Sequence, residues 1–176
     1  MEAAFMTGFE RNCDIVHMAT YAPLFAHVEG WQWRPDAIWY DNLKSFKTCS
    51  YYVQQLYSLY KGTNVLPMTM DGRAIAGDDD QNGLFASAVV DKAEGAIYIK
   101  VANVSDQTQQ IMVELKGLKG VSKNVKVISL SSDDPVAENS LKNPDKIQPQ
   151  EGMVTLDGTT LNSDVPAKTF LVYVIK

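Results

Sequence analysis

Residues 97–115 read IYIKVANVSDQTQQIMVEL. Ile97, Ile99 and Val101 alternate with Tyr98 and Lys100, and Ile111, Val113 and Leu115 alternate with Met112 and Glu114. A period of two sends successive side chains to opposite faces, so each run reads as a strand with one face on a core. The pattern continues on both sides. Residues 65–70 and 84–90 precede it, Val125 and Val127 flank Lys126, and Val154 and Leu156 flank Thr155. Residues 170–175 close the chain as a more continuously apolar strand. About seven strands with turn residues between them predict a β-sandwich. The polar stretch 131–150, with Pro135, Pro144 and Pro149, is expected to be a long connection at one end or across one face.

Upstream of Gly62 the grammar changes. Residues 2–11 read as a helix, with Phe5 and Phe9 four apart and Asn12 as its stop. Ile15, Val16, His17, Met18, Ala19 and Thr20 form a run that is apolar on both faces, as in strands of parallel sheets covered on both sides. A second helix is expected over residues 48–60. Val53, Leu56, Tyr57 and Tyr60 follow helical spacing, Thr48 or Ser50 can cap its start, and Gly62 sits where a C-terminal cap belongs. One strand between two helices cannot bury both its faces, so residues 1–62 read as a piece of a larger α/β domain and residues 63–176 as a β domain.

At 176 residues the chain fits one domain, or one domain plus a fragment of another. The net charge is -5 and the lysines are scattered, which disfavours nucleic-acid binding. No apolar run is long enough for a transmembrane helix, so no membrane partner is expected. The first residues, MEAAFMTGFERN, lack the basic-then-apolar layout of a signal peptide, and the compartment stays open. Cys13 and Cys49 form no metal-like spacing, and His17 and His27 do not complete one. Buried free thiols are expected, with a disulfide between the two left open.

Residues 29–42, EGWQWRPDAIWYDN, carry all three tryptophans of the chain, Trp31, Trp33 and Trp39, among Glu29, Asp36 and Asp41. Rings beside carboxylates suit a sugar site, and suit a loop packed over a core equally well. No complete catalytic site accompanies them. There is no G-x-S-x-G, no H-E-x-x-H, no Walker loop and no G-x-G-x-x-G. His17, inside an apolar run, reads as a core or barrel-interior histidine. A lone Glu29 reads first as a surface carboxylate, although it follows the strand where an α/β barrel places its functional loops. Asp78, Asp79 and Asp80 are consecutive, not at the alternate positions of an EF-hand, and read as a solvated hairpin loop.

The order of segments EAAFMTGFERNCDIVHMATYAPLFAHVEGWQW, PDAIWYDN and SYYVQQLYS closely resembles the α-L-arabinofuranosidases of glycoside hydrolase family 51. AENSLKNPDKI and the closing PAKTFLVYVIK resemble that family's C-terminal sandwich more loosely. The resemblance implies a mainly β fold: a jelly-roll-like β-sandwich preceded by the last helix-strand-helix piece of a (β/α)8 barrel. It implies a retaining mechanism, in which one Glu protonates the leaving oxygen and a second forms a covalent arabinosyl-enzyme. Both arise in the family from earlier barrel strands. Glu2 and Glu10 inherit neither role, so no catalytic residue is assigned to this chain and no activity is expected of it alone. His27, Glu29, Trp31, Gln32 and Trp33 are the candidate substrate-binding residues, with Trp39 assigned to the core. No cofactor and no metal are implied. An arabinose-containing polysaccharide or oligosaccharide is the implied partner through the whole enzyme, and a homo-oligomer is expected. Two other roles compete: a non-catalytic carbohydrate-binding module, and a purely structural or oligomerising sandwich.

Overall fold

The computed structural model describes every residue except Lys119 and Val121. Helix α1 (Glu2–Arg11) opens the chain, and Asn12 ends it, its side-chain amide donating to the Gly8 carbonyl. Three short strands follow, β1 (Phe25–His27), β2 (Ile38–Tyr40) and β3 (Ser45–Lys47), and then helix α2 (Cys49–Leu59). The β region comprises β4 (Asn64–Leu66), β5 (Thr69–Met70), β6 (Arg73–Ala74), β7 (Leu84–Asp91) and β8 (Ala96–Asn103). It continues with β9 (Gln109–Glu114), β10 (Asn124–Leu130), β11 (Gln150–Asp157), β12 (Thr160–Val165) and β13 (Thr169–Ile175).

Eight of these strands form one sheet in the order β4-β7-β8-β13-β10-β11-β12-β9. Among neighbours with a recorded register every pairing is antiparallel. The sheet curls within β11: Gln150–Thr155 pair with β10, whereas Leu156 and Asp157 pair with β12. The curl brings Leu161 and Val165 of β12 over Ile99, Val101, Leu171 and Tyr173, closing a dry core between two layers. The expected mainly β, jelly-roll-like sandwich is therefore present, and the period-two runs at 97–101 and 111–115 are its β8 and β9.

The opposite face is covered by the helices. Residues Ala3, Ala4 and Met6 of α1 and Tyr52, Val53, Leu56 and Tyr57 of α2 pack with Tyr98, Ala102, Phe170, Val172 and Val174. Strand β13 thus feeds both cores, alternate residues going to each, which is why its sequence is continuously apolar. Thr48 caps α2, its hydroxyl accepting from the Tyr51 amide at 3.4 Å. Gly62 is not the cap; that position falls to Tyr60. A Cβ on Gly62 would lie 2.7 Å from the Val89 Cβ, so the glycine admits the close approach of β7.

Three further expectations differ from the structure. The doubly buried strand over residues 15–20 does not form: the segment pairs with no strand, and Ile15 and Met18 are 77% and 83% exposed. A parallel strand needs neighbours on both edges and layers on both faces, and no described element supplies them there. His17 accordingly lies exposed, its Nε2 2.9 Å from the Asp14 carbonyl. The thiols of Cys13 and Cys49 are free but not buried. Strand β12 was unforeseen because the sequence TLNSDV puts a serine at an inward position; Ser163 is accommodated there by the Tyr173 hydroxyl, which donates to it at 2.9 Å.

One ion pair ties α1 to the sheet. Lys100 lies on the helix-facing side of β8 and has no exposed side-chain surface. Its Nζ donates to Glu10 Oε1 and to the Tyr60 carbonyl, both at 2.6 Å, and stands 5.2 Å from the centre of the Tyr57 ring. Glu10 Oε2 accepts from the Ser87 hydroxyl at 2.6 Å. Burial pulls the Lys100 amine below the usual ammonium range, against the opposing pull of the Glu10 carboxylate. Beside this pair, Arg11 donates to the carbonyls of Ala86 at 2.8 Å and Ile75 at 3.3 Å. Removing one partner of a buried pair strands the other charge, so Glu10→Ala is expected to cost about 3–5 kcal/mol in urea unfolding. The double replacement Glu10→Met with Lys100→Met is expected to recover more than half of that loss. Equal destabilisation by the single and double variants would contradict the pairing.

Candidate functional site

Residues 22–47 form a small three-stranded unit beside α2. Strand β1 pairs in parallel with β2, setting Ala26 beside Trp39 and His27 beside Tyr40, and β3 pairs antiparallel with β2. The peptide bonds before Pro23 and Pro35 are cis. The turn between β2 and β3 is built by Asp41, whose Oδ1 accepts from the amides of Leu43 at 2.7 Å and Lys44 at 2.6 Å. Those two donors hold its carboxyl below the usual range.

The three tryptophans divide. Trp39 is 4% exposed at the centre of the unit, as expected of a core residue, whereas Trp31 and Trp33 are 48% and 56% exposed on the loop between β1 and β2. Trp31 meets Trp39 edge to face at 5.8 Å. The Arg34 guanidinium lies 4.8 Å from the Trp39 ring centre and 5.4 Å from that of Trp31, bridging the buried ring to the exposed one. The long stem and planar head of arginine suit this use. Arg34 was not among the candidate residues, although its place between Trp33 and Pro35 is a local signal for it.

The carboxylates divide too. Asp41 is committed to its own turn. Asp36 is 2% exposed, and its Oδ2 has no hydrogen-bond partner among the described residues. Glu29 alone of the three is exposed on the tryptophan loop, beside exposed Gln32. Its backbone amide donates to His27 Nδ1 at 3.2 Å, and the His27 ring meets Tyr40 edge to face at 5.2 Å. The loop therefore offers two half-exposed indoles with a carboxylate and an amide nearby, a set suited to binding hydroxyl-rich ligands rather than to nucleophilic catalysis. Elsewhere, Asp78 and Asp80 pair with the half-exposed Arg73, and Asp79–Gln81 makes a single 3₁₀ turn.

A family model described as the α-L-arabinofuranosidase C-terminal domain matches residues 1–168. The chain belongs to that family. α-L-Arabinofuranosidase 1 of Arabidopsis thaliana is 33% identical over 175 residues, covering 96% of this chain and 25% of its own length. α-L-Arabinofuranosidase A of Aspergillus kawachii is 34% identical over 168 residues, covering 94% and 24%. An arabinose-bound GH51 α-L-arabinofuranosidase superposes with a TM-score of 0.89 at 33% identity, over 99% of this chain and 26% of that one. The GH51 enzyme of Thermotoga petrophila, at 18% identity and a TM-score of 0.80, shares the fold over 99% of this chain and 38% of its own. This arabinofuranosidase C-terminal domain thus spans about a quarter of the length of the curated relatives it matches.

If Arg34 clamps the two indoles, Arg34→Ala is expected to destabilise the domain by about 1 kcal/mol. Acrylamide quenching of Trp31, read in a Trp33→Phe background, is expected to rise with it. Unchanged quenching would show that the guanidinium does not hold the ring.

Proposed function

We propose that this chain is the C-terminal part of a retaining glycoside hydrolase that releases terminal α-L-arabinofuranosyl groups from arabinan or arabinoxylan. In this reading residues 1–62 belong to the catalytic barrel and residues 63–176 are the sandwich that buttresses it. The tryptophan loop is one wall of the sugar pocket. Trp31 and Trp33 stack on the C–H faces of sugar rings, and Glu29, Gln32 and His27 bind hydroxyls. The two catalytic carboxylates, which a retaining enzyme holds about 5–5.5 Å apart, come from earlier strands of the longer protein.

The observation that carries this reading is the split among the tryptophans. One is buried as a pedestal, and two stand half-exposed on a loop fixed to it, within a chain 33% identical to an arabinose-bound relative. The arrangement of the sandwich argues for a structural role there. Of the aromatic residues on its strands, Tyr98, Phe170 and Tyr173 are 6%, 4% and 0% exposed, and Phe85 is partly buried against the helix-side core. A separate carbohydrate-binding face on the sandwich has no comparable support. The apolar segment with Ile15, Met18, Leu24 and Phe25 exposed supports burial against further protein, either the rest of a longer chain or another copy.

Replacing the corresponding C-terminal quarter of the Aspergillus kawachii enzyme with this chain gives the direct test. The chimera is expected to hydrolyse an aryl α-L-arabinofuranoside, and the isolated chain is expected not to. In the chimera, Trp31→Ala is expected to raise KM about tenfold, the equivalent of about 1.4 kcal/mol. Hydrolysis by the isolated chain at the rate of an intact enzyme would overturn the proposal, as would a folded chimera without activity.

A further inference from the structure

The motif AENSLKNPDKI lies far from the tryptophans in sequence, in the connection between β10 and β11, yet it touches the three-stranded unit that carries them at two points, Lys47 and Arg34. Asn139 is 5% exposed. Its Nδ2 donates to the carbonyl of Lys47, the last residue of β3, and to the carbonyl of Ile147, both at 2.8 Å. Its Oδ1 accepts from the Ile147 amide at 2.7 Å. The preceding residue, Glu138, accepts from Arg34 Nη1 at 3.3 Å, and Arg34 is the residue that bridges Trp31 and Trp39.

We infer that Asn139 and Glu138 are positioning residues for the tryptophan loop, so that the sandwich sets the geometry of the pocket wall and does more than support the barrel. The inference rests on the reading of that loop as a sugar-binding wall. The two contacts are unequal. Arg34 and Glu138 are both largely exposed, and an exposed pair of this kind contributes little by itself. The buried amide of Asn139 is the stronger tie, because a carbonyl left unpaired away from water is costly. Its chemistry is also specific. Two donors must face two carbonyl oxygens while one acceptor faces an amide, and only a carboxamide of this length presents both. Aspartate would set a carboxylate against the Lys47 and Ile147 carbonyls. The Lys47 bond fixes β3, β3 fixes β2 through the register of Phe46 beside Trp39, and Trp39 carries the ring of Trp31.

The test reads the coupled indoles and the kinetics separately. In this chain, Asn139→Ala is expected to halve, roughly, the near-ultraviolet circular dichroism arising from the Trp31–Trp39 pair. In the chimera with the Aspergillus kawachii enzyme it is expected to raise KM about fivefold while kcat stays within about twofold. Glu138→Gln, which keeps an acceptor for Arg34, is expected to match the parent in both readouts. Glu138→Arg sets like charge against Arg34 at an exposed position that folding tolerates; it is expected to weaken the signal and raise KM even if Asn139→Ala does not fold. An unchanged indole signal and unchanged KM in folded Asn139→Ala, or in Glu138→Arg should the former not fold, would overturn the positioning role. A KM insensitive to Trp31→Ala, with the indole signal still responding to Asn139→Ala, would overturn the pocket-wall reading and leave the structural coupling standing.

Discussion

A lysine with no exposed side-chain surface needs a partner, and the position of that partner decides how the helices sit. Lys100 occupies the middle of β8, among Tyr98 and Ala102 on the helix-facing side of the sheet. Taking its charge out of water costs several kcal/mol. That cost is offset only where Glu10, the Tyr60 carbonyl and the Tyr57 ring converge on it. Glu10 belongs to α1, whereas Tyr57 and Tyr60 lie in and just after α2, so one buried amine fixes both helices to the sheet at once. Such a pair adds little net stability, since an apolar replacement of similar volume is often neutral or better; its geometric demands are what matter here. Here what the pair sets is the placement of α1 and α2 against the sheet.

The rest of the architecture follows from that placement. Strand β13 is buried on both faces because one faces the helices and the other faces the layer folded over by the curl in β11. With α2 fixed, its Thr48 cap donates to the carbonyls of Asp36 at 3.1 Å and Ala37 at 2.9 Å. The three-stranded unit carrying the tryptophans is thereby attached to the start of α2. The connection between β10 and β11 reaches the same unit from the sandwich side. The exposed indoles therefore stand on a scaffold held from two directions, which preorganises the loop and would limit the ordering cost of any ligand it takes.

Much of this was legible in the sequence, for identifiable reasons. Strands β8 and β9 announce themselves because their inward residues are apolar and their outward ones are not. Helix α2 shows a capping threonine and an apolar stripe. Strand β12 was hidden because its inward Ser163 is satisfied by Tyr173, a partner ten residues away that no local pattern reveals. The run over residues 15–20 reads as a buried strand because it is apolar on both faces, yet no described element packs over it and Ile15 and Met18 stand exposed. In the loop, the buried Trp39 could be told from exposed Trp31 and Trp33 by its closeness to the following helix. The clamp of Arg34 is local, lying within a few residues of both rings, whereas the tie from Asn139 joins remote segments and leaves no local pattern.

Helix α1 is an integral part of the folded unit, secured through the Lys100–Glu10 pair. Native-state hydrogen exchange of the α1 amides measures this directly. A ten-residue helix is marginal in water on its own. The amides of its buried turn are therefore expected to exchange only in the same opening event as β8 and β13, with the same dependence on denaturant. Exchange of those amides at rates near those of an unstructured peptide, while β8 and β13 stay protected, would contradict it.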